Sequence, residues 1–161
     1  MPNGRVTHAE RDGVHVLRYF GRVDYMSAPA IKRFTDHLVD EDICGLVFDL
    51  SEADNLDSTN LGLLARVADR ALQRCGARSV IVSTREDINC VLTSMGFDQI
   101  FTIVKGSMRE QPVPQGDELE NAPAPEDELR NVMLEAHRML MGMSETGRAQ
   151  FEEVVKCLET T

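Results

Sequence analysis

The chain has 161 residues, room for one domain and an appendage, and at 42% hydrophobic and 27% charged it has the composition of a globular protein. Its net charge of −10 opposes contact with the phosphates of nucleic acid or of an anionic membrane, so neither is expected as a partner. A basic protein surface is not excluded.

Residues 5–9, RVTHA, are a weak edge-strand candidate, and Asp12-Gly13 carries a hairpin signal. Val14 to Phe20 is rich in β formers and predicts a strand. Gly21 to Tyr25 then leaves the sheet as a loop. Ser27 is placed to cap a helix with Pro29 in its first turn; Ala30, Ile31, Phe34, Leu38 and Val39 form its apolar face. Gly45 opens a second strand, apolar through Leu46-Val47-Phe48 and closed by Asp49-Leu50 before a short acidic turn. The spacing of Leu61, Leu64, Val67, Ala68, Ala71 and Leu72 predicts a helix from about Ser58, stopped at Cys75-Gly76. Its first turn, with Asp57, Ser58 and Thr59, is expected at the surface. Ser79 to Ser83 is a short buried strand. Thr84 caps a third helix that Met95-Gly96-Phe97 closes, and Ile100 to Val104 is the last strand.

Strands and helices alternate from residue 14, which predicts an α/β fold: a mostly parallel four- to five-stranded sheet with crossover helices. The division expected is a domain over residues 1–105, a proline-rich acidic linker over 106–126 and a helical extension over 127–161. In the extension, Leu129, Val132, Met133, Ala136, Leu140 and Met143 form one apolar stripe. Phe151, Val154, Val155 and Leu158 form a second, which Ser144 caps. Such a C-terminal helical hairpin cannot bury enough surface alone. It must dock on its own domain, on a partner, or on a second copy as a homodimer.

Chemistry-bearing motifs are few. Cys44, Cys75, Cys90 and Cys157 lack CxxC spacing and read as reduced packing thiols. His8, His15, His37 and His137 show no HxxxH or HExxH pattern, so no metal is expected. No GxGxxG or GxxxxGK[ST] motif supports a nucleotide cofactor, and none is expected. Ser58 has no GxSxG elbow and no histidine at a recognisable spacing, so the chain is read as a non-enzyme. No apolar run approaches the ~20 residues of a membrane span and no signal-peptide core is present, which makes the expected location cytoplasmic.

From spacing alone, Ser58 reads as a helix-capping hydroxyl with Asp57 as a neighbouring capping acid. However, Asp57-Ser58-Thr59-Asn60-Leu61-Gly62, preceded by Val47-Phe48-Asp49-Leu50, resembles the STAS family, which includes bacterial anti-sigma factor antagonists. The likeness covers roughly residues 5–104 and extends to Gly21-Arg22-Val23-Asp24, to Met95-Gly96-Phe97 and to the strand near Ile100. Asn60 stands where the family motif D-S-[ST]-G-L-G has glycine. Asparagine tolerates unusual backbone angles better than most residues, which would preserve the geometry, and the replacement bears on partner specificity.

The resemblance implies a phosphorylation site at Ser58, with Thr59 as the alternative. It implies a partner-binding surface of Asp24, Asp57, Ser58, Thr59, Asn60 and Leu61. The unphosphorylated form would bind an anti-sigma factor or switch-type serine kinase, and a PP2C-type phosphatase would reset the switch. The competing reading is a STAS scaffold or regulatory subunit that binds some other signalling enzyme or ligand. A phosphate at a helix N-terminus meets unpaired backbone N–H groups and adds ~1.5–2 negative charges, enough to repel a partner shaped for a hydroxyl.

Overall fold

The computed structural model describes residues 4–106 and 116–160. Strands β1 (Arg5–Arg11) and β2 (Val14–Val23) form an antiparallel hairpin. Asp12 and Gly13 join them at φ 53° and 82°, the left-handed pair that a two-residue hairpin turn demands. Strand β3 (Gly45–Leu56) lies parallel to β2.

Both β2 and β3 run further than expected. The ladder continues through Phe20–Glu52, Gly21–Ala53, Arg22–Asn55 and Val23–Leu56, past two register irregularities. Those bulges interrupt the period-2 alternation, so Gly21–Val23 and Ser51–Leu56 read as loop and turn although they remain paired.

Strands β4 (Ser79–Val82) and β5 (Phe101–Val104) extend the parallel sheet, and β6 (Asp117–Glu118) is antiparallel to β1, giving the order β5-β4-β3-β2-β1-β6. Strand β6 falls inside the expected linker, and Leu119 N–H donates to Val6 O at 2.9 Å just after it. Strand β1 is therefore not an edge. Residues 107–115 of that linker, with Pro112 and Pro114, lie outside the described residues.

Helix α1 (Ala28–Val39) follows a 3-10 turn at Tyr25–Ser27. That turn already delivers helical backbone, so Ser27 (φ −84°, ψ −15°) makes no side-chain cap. Asp24 caps the turn instead, accepting from Met26 N–H at 3.0 Å. Helix α2 (Ser58–Cys75) starts on the cap residue Asp57 and ends on Gly76 at φ 68°. Helix α3 (Glu86–Ser94) begins after Arg85 rather than at Thr84, and Gly96 closes it in the left-handed region at φ 83°. The core joins Leu17, Tyr19, Phe48, Leu50, Leu64, Ile81, Phe97 and Phe101 between sheet and helices.

Helices α4 (Glu126–Met143) and α5 (Glu145–Glu159) form the hairpin, whose second helix opens on the Ser144 hydroxyl accepting from Gly147 N–H at 2.9 Å. It docks in cis: α4 lies along α2 and touches α1, and Val132, Leu140 and Phe151 join the core cluster of the sheet domain. Of the cysteines, none in a disulfide, Cys44, Cys90 and Cys157 are exposed and Cys75 is half-buried and packed against the core. Among the described residues no helix is long and apolar enough to cross a membrane.

Candidate functional site

The register of the central strands builds the site. Val23, the last residue of β2, pairs with Leu56, the last of β3, so the next residues, Asp24 and Asp57, emerge side by side. Each is an N-cap. Asp57 Oδ1 accepts from Asn60 N–H at 3.0 Å, as Asp24 does from Met26.

Asn60 ties the two caps together. Its side-chain amide donates to Asp24 O at 2.9 Å and Asp57 Oδ1 at 3.0 Å, with Val23 O further away at 3.4 Å. Two amide hydrogens thus serve two short acceptors. The residue lies within α2, and Asp12 is the sole non-glycine residue of positive φ among the described residues. Backbone tolerance is therefore not what asparagine supplies at this position; its side chain laces the β2 exit to the α2 entrance.

Ser58 is the first residue of α2. Its Oγ lies 2.8 Å from Nε2 of His137 on α4. The other ring nitrogen, Nδ1, is 2.6 Å from the Met133 carbonyl, which only accepts. Nδ1 therefore carries a proton, and in the neutral ring Nε2 offers its lone pair while the Ser58 hydroxyl donates. His137 is 3% exposed and packs edge-on to Phe151 of α5, ring centroids 5.2 Å apart.

One helical turn on, a Cβ on Gly62 would stand 2.1 Å from the Ala136 carbonyl oxygen. The two helix backbones meet there as closely as they can.

The start of α2 is thus covered, against the expectation of a surface position. Asp24 is exposed and Asp57 and Ser58 are partly exposed, but Thr59, Asn60 and Leu61 are buried. The hairpin closes what a lone domain would leave open. Asp54, in the second half of β3, has its carboxylate 3.8 Å from Arg85 ahead of α3. Asp49 is a structural residue inside β3: its Oδ1 accepts from the Ser51 N–H and hydroxyl, and it pairs with Arg18 at 3.4 Å.

His137 has a signal in the sequence, a polar residue beside the apolar stripe of Val132, Met133, Ala136 and Leu140. Burial there requires a hydrogen-bond partner. That partner lies 79 positions away, so only the fold identifies it.

The family model of the STAS domain matches residues 5–109. The chain belongs to the STAS family.

Three solved structures share the STAS fold. An anti-sigma factor antagonist from Mycobacterium paratuberculosis is 24% identical, with a TM-score of 0.57 over 64% of this chain and 86% of that one. A putative anti-sigma factor antagonist from Thermotoga maritima is 20% identical, with a TM-score of 0.57 over 63% and 86%. The Bacillus cell fate determinant SpoIIAA in its phosphorylated form is 13% identical, with a TM-score of 0.53 over 62% and 90%. A search of curated proteins found no match. The STAS match ends at residue 109, so the α4–α5 hairpin is an addition to the family domain.

Proposed function

We propose that this STAS protein is a cytoplasmic, non-enzymatic anti-sigma factor antagonist switched at Ser58. The observation that carries the reading is a serine hydroxyl at the first position of α2, flanked by the paired caps Asp24 and Asp57. Unphosphorylated, the surface of Asp24, Asp57 and Ser58, with Thr59, Asn60 and Leu61 beneath it, binds an anti-sigma factor or its kinase and so frees a sigma factor. Phosphorylation of Ser58 adds ~1.5–2 negative charges beside two carboxylates and removes a hydroxyl donor. A partner that buries this surface then meets an unpaired dianion, and a PP2C-type phosphatase reverses the change. Fold neighbours described as an anti-sigma factor antagonist and a putative one, and a third solved in a phosphorylated form, support the reading.

Intact-mass and phosphopeptide analysis of protein from the native host should find phosphate on Ser58. Affinity capture from the same lysate should recover an anti-sigma factor or serine kinase with Ser58→Ala and not with Ser58→Asp. Equal recovery by both variants refutes the switch and points to a constitutive scaffold.

A further inference from the structure

The site on α2 does not face solvent alone; its face is already occupied. Ser58 and Gly62, one helical turn apart, both contact α4, through His137 and through the Ala136 backbone. Charge frames that contact. Lys32 and Arg33 of α1 and Arg66 of α2 form a rim that stays basic although Asp36 of α1 pairs with Lys32 at 2.9 Å and with Arg66 at 2.8 Å, and α4 sets acids against it. Glu135 lies 3.8 Å from Lys32 and 3.4 Å from Arg66, while Glu128 pairs with Arg33. The α1–α2 face is thus a helix groove with a glycine at its floor, an uncharged hydroxyl donor at one end and cations along one side. Its occupant in this structure is an amphipathic helix with alanine at the crossing, a lone-pair acceptor facing Ser58, and flanking glutamates.

The occupant is tied to the domain only loosely in sequence. Residues 105–125 separate β5 from α4, and among the described part of that stretch the sheet holds β6 and Leu119. The covering helix also lies outside the residues that match the family domain.

We propose that this groove is a docking surface for an acidic amphipathic helix of a partner protein, and that α4 holds it as an intramolecular competitor. The proposal rests on the switch reading of Ser58: neither a partner nor a kinase reaches that hydroxyl fully until the hairpin swings away. A bound partner helix would supply what α4 supplies now, a small residue over Gly62 and carboxylates opposite Lys32, Arg33 and Arg66. Closure therefore sets a threshold on partner binding, distinct from the on–off state of Ser58.

The test uses the full chain and a fluorescent peptide of residues 126–159, the hairpin itself, as the probe. Glu128→Arg with Glu135→Arg turns both rim contacts repulsive without touching the groove. It should raise peptide affinity, measured by anisotropy, about tenfold over the wild type, the change that ~1.4 kcal/mol of lost closure would give. Adding Arg33→Glu to Glu128→Arg restores one pair and should return affinity toward the wild-type value. Ala136→Leu, which wedges the crossing by packing alone, is the second opening variant and should act in the same direction.

Equal peptide binding by the wild type and both opened variants overturns the proposal, as does absence of binding by all of them. Concentration-dependent dimers formed by exchange of hairpins, seen by light scattering with no peptide uptake, overturn the cis competitor in favour of assembly between copies. If the opened variants take up the peptide but Ser58→Ala and Ser58→Asp recover the same partners from lysate, the groove stands and the phospho-switch reading fails. If the switch variants differ while the peptide does not discriminate, the reverse holds.

Discussion

Replacing Gly62 by alanine separates two effects that usually add. The new Cβ would lie 2.1, 2.5 and 2.8 Å from the O, C and Cα of Ala136, all backbone atoms that cannot rotate aside. Relief requires α4 to retreat by about 1 Å, and overpacking of this kind typically costs ~1–3 kcal/mol. Against this, alanine favours the interior of α2 by roughly 1 kcal/mol over glycine. The first effect acts on docking of the hairpin and the second on folding of α2. The undocked population should therefore rise about 5- to 150-fold while the sheet domain keeps its stability.

Amide hydrogen exchange resolved by segment is the assay. Undocked, the 18-residue α4 keeps only α5 as an apolar partner, and a lone pair of short helices is marginal in water. Its amides from Val132 to Leu140 should exchange faster by the factor above, and those of β3 and β4 should not. Unchanged or slower exchange in α4, together with a stabilised domain, would refute the reasoning, because the close crossing would then not be what seats the hairpin.

Asn60→Ala should destabilise the domain by about 1–3 kcal/mol in denaturant unfolding, since it removes the amide that bonds both the Asp24 carbonyl and the Asp57 carboxylate. Asn60→Gly should cost at least as much despite matching the family motif, because it adds a helical glycine, and a neutral result for either variant would refute the lacing role. His8 and His15 share a hydrogen bond of 2.9 Å between stacked rings. Burial, then the neighbouring His15, lowers the pKa of His8 against opposing pulls from Asp117 and Glu10; burial lowers that of His15 against Glu10 and Glu41. The unfolded chain therefore binds protons first, and the pair's contribution is present above the ordinary histidine value near 6.5 and lost as pH falls below it. The melting temperature should drop between pH 7.5 and 5.5, and less steeply in His8→Gln; an identical slope in both proteins counts against the pair.

Single-period patterns made much of the fold legible. Helix α2, strand β4 and both helices of the C-terminal hairpin each repeat one hydrophobic spacing, and α2 and α5 also start on a recognisable cap. The second half of β3 is opaque because its ladder passes a bulge, and β6 because two acidic residues carry no pattern. At the site, Asp57-Ser58 was readable as a helix start, and Asn60 stood out as the odd residue in the motif. Its role did not, since the acceptors of its amide include carbonyls 36 and 37 positions upstream. Cover over the site was equally hidden, because whether an apolar stripe folds back on its own domain depends on the surface it meets.

The small strand β6 acquires a meaning from its position between the sheet and the hairpin. Pinned by β6 and Leu119, the hairpin is tethered by Glu120 to Pro125 alone, six residues of which two are proline. Freed from β1, the same hairpin would be joined to β5 through residues 105–125, 21 positions in sequence. Effective concentration falls roughly as the −3/2 power of tether length, so unzipping two residue pairs would dilute α4 over its groove by about sixfold. The edge strand of the sheet thus tunes how often the cover lifts from the start of α2. Anything that pairs with β1 in place of Asp117–Glu118 would weaken the cover on Ser58 without approaching it.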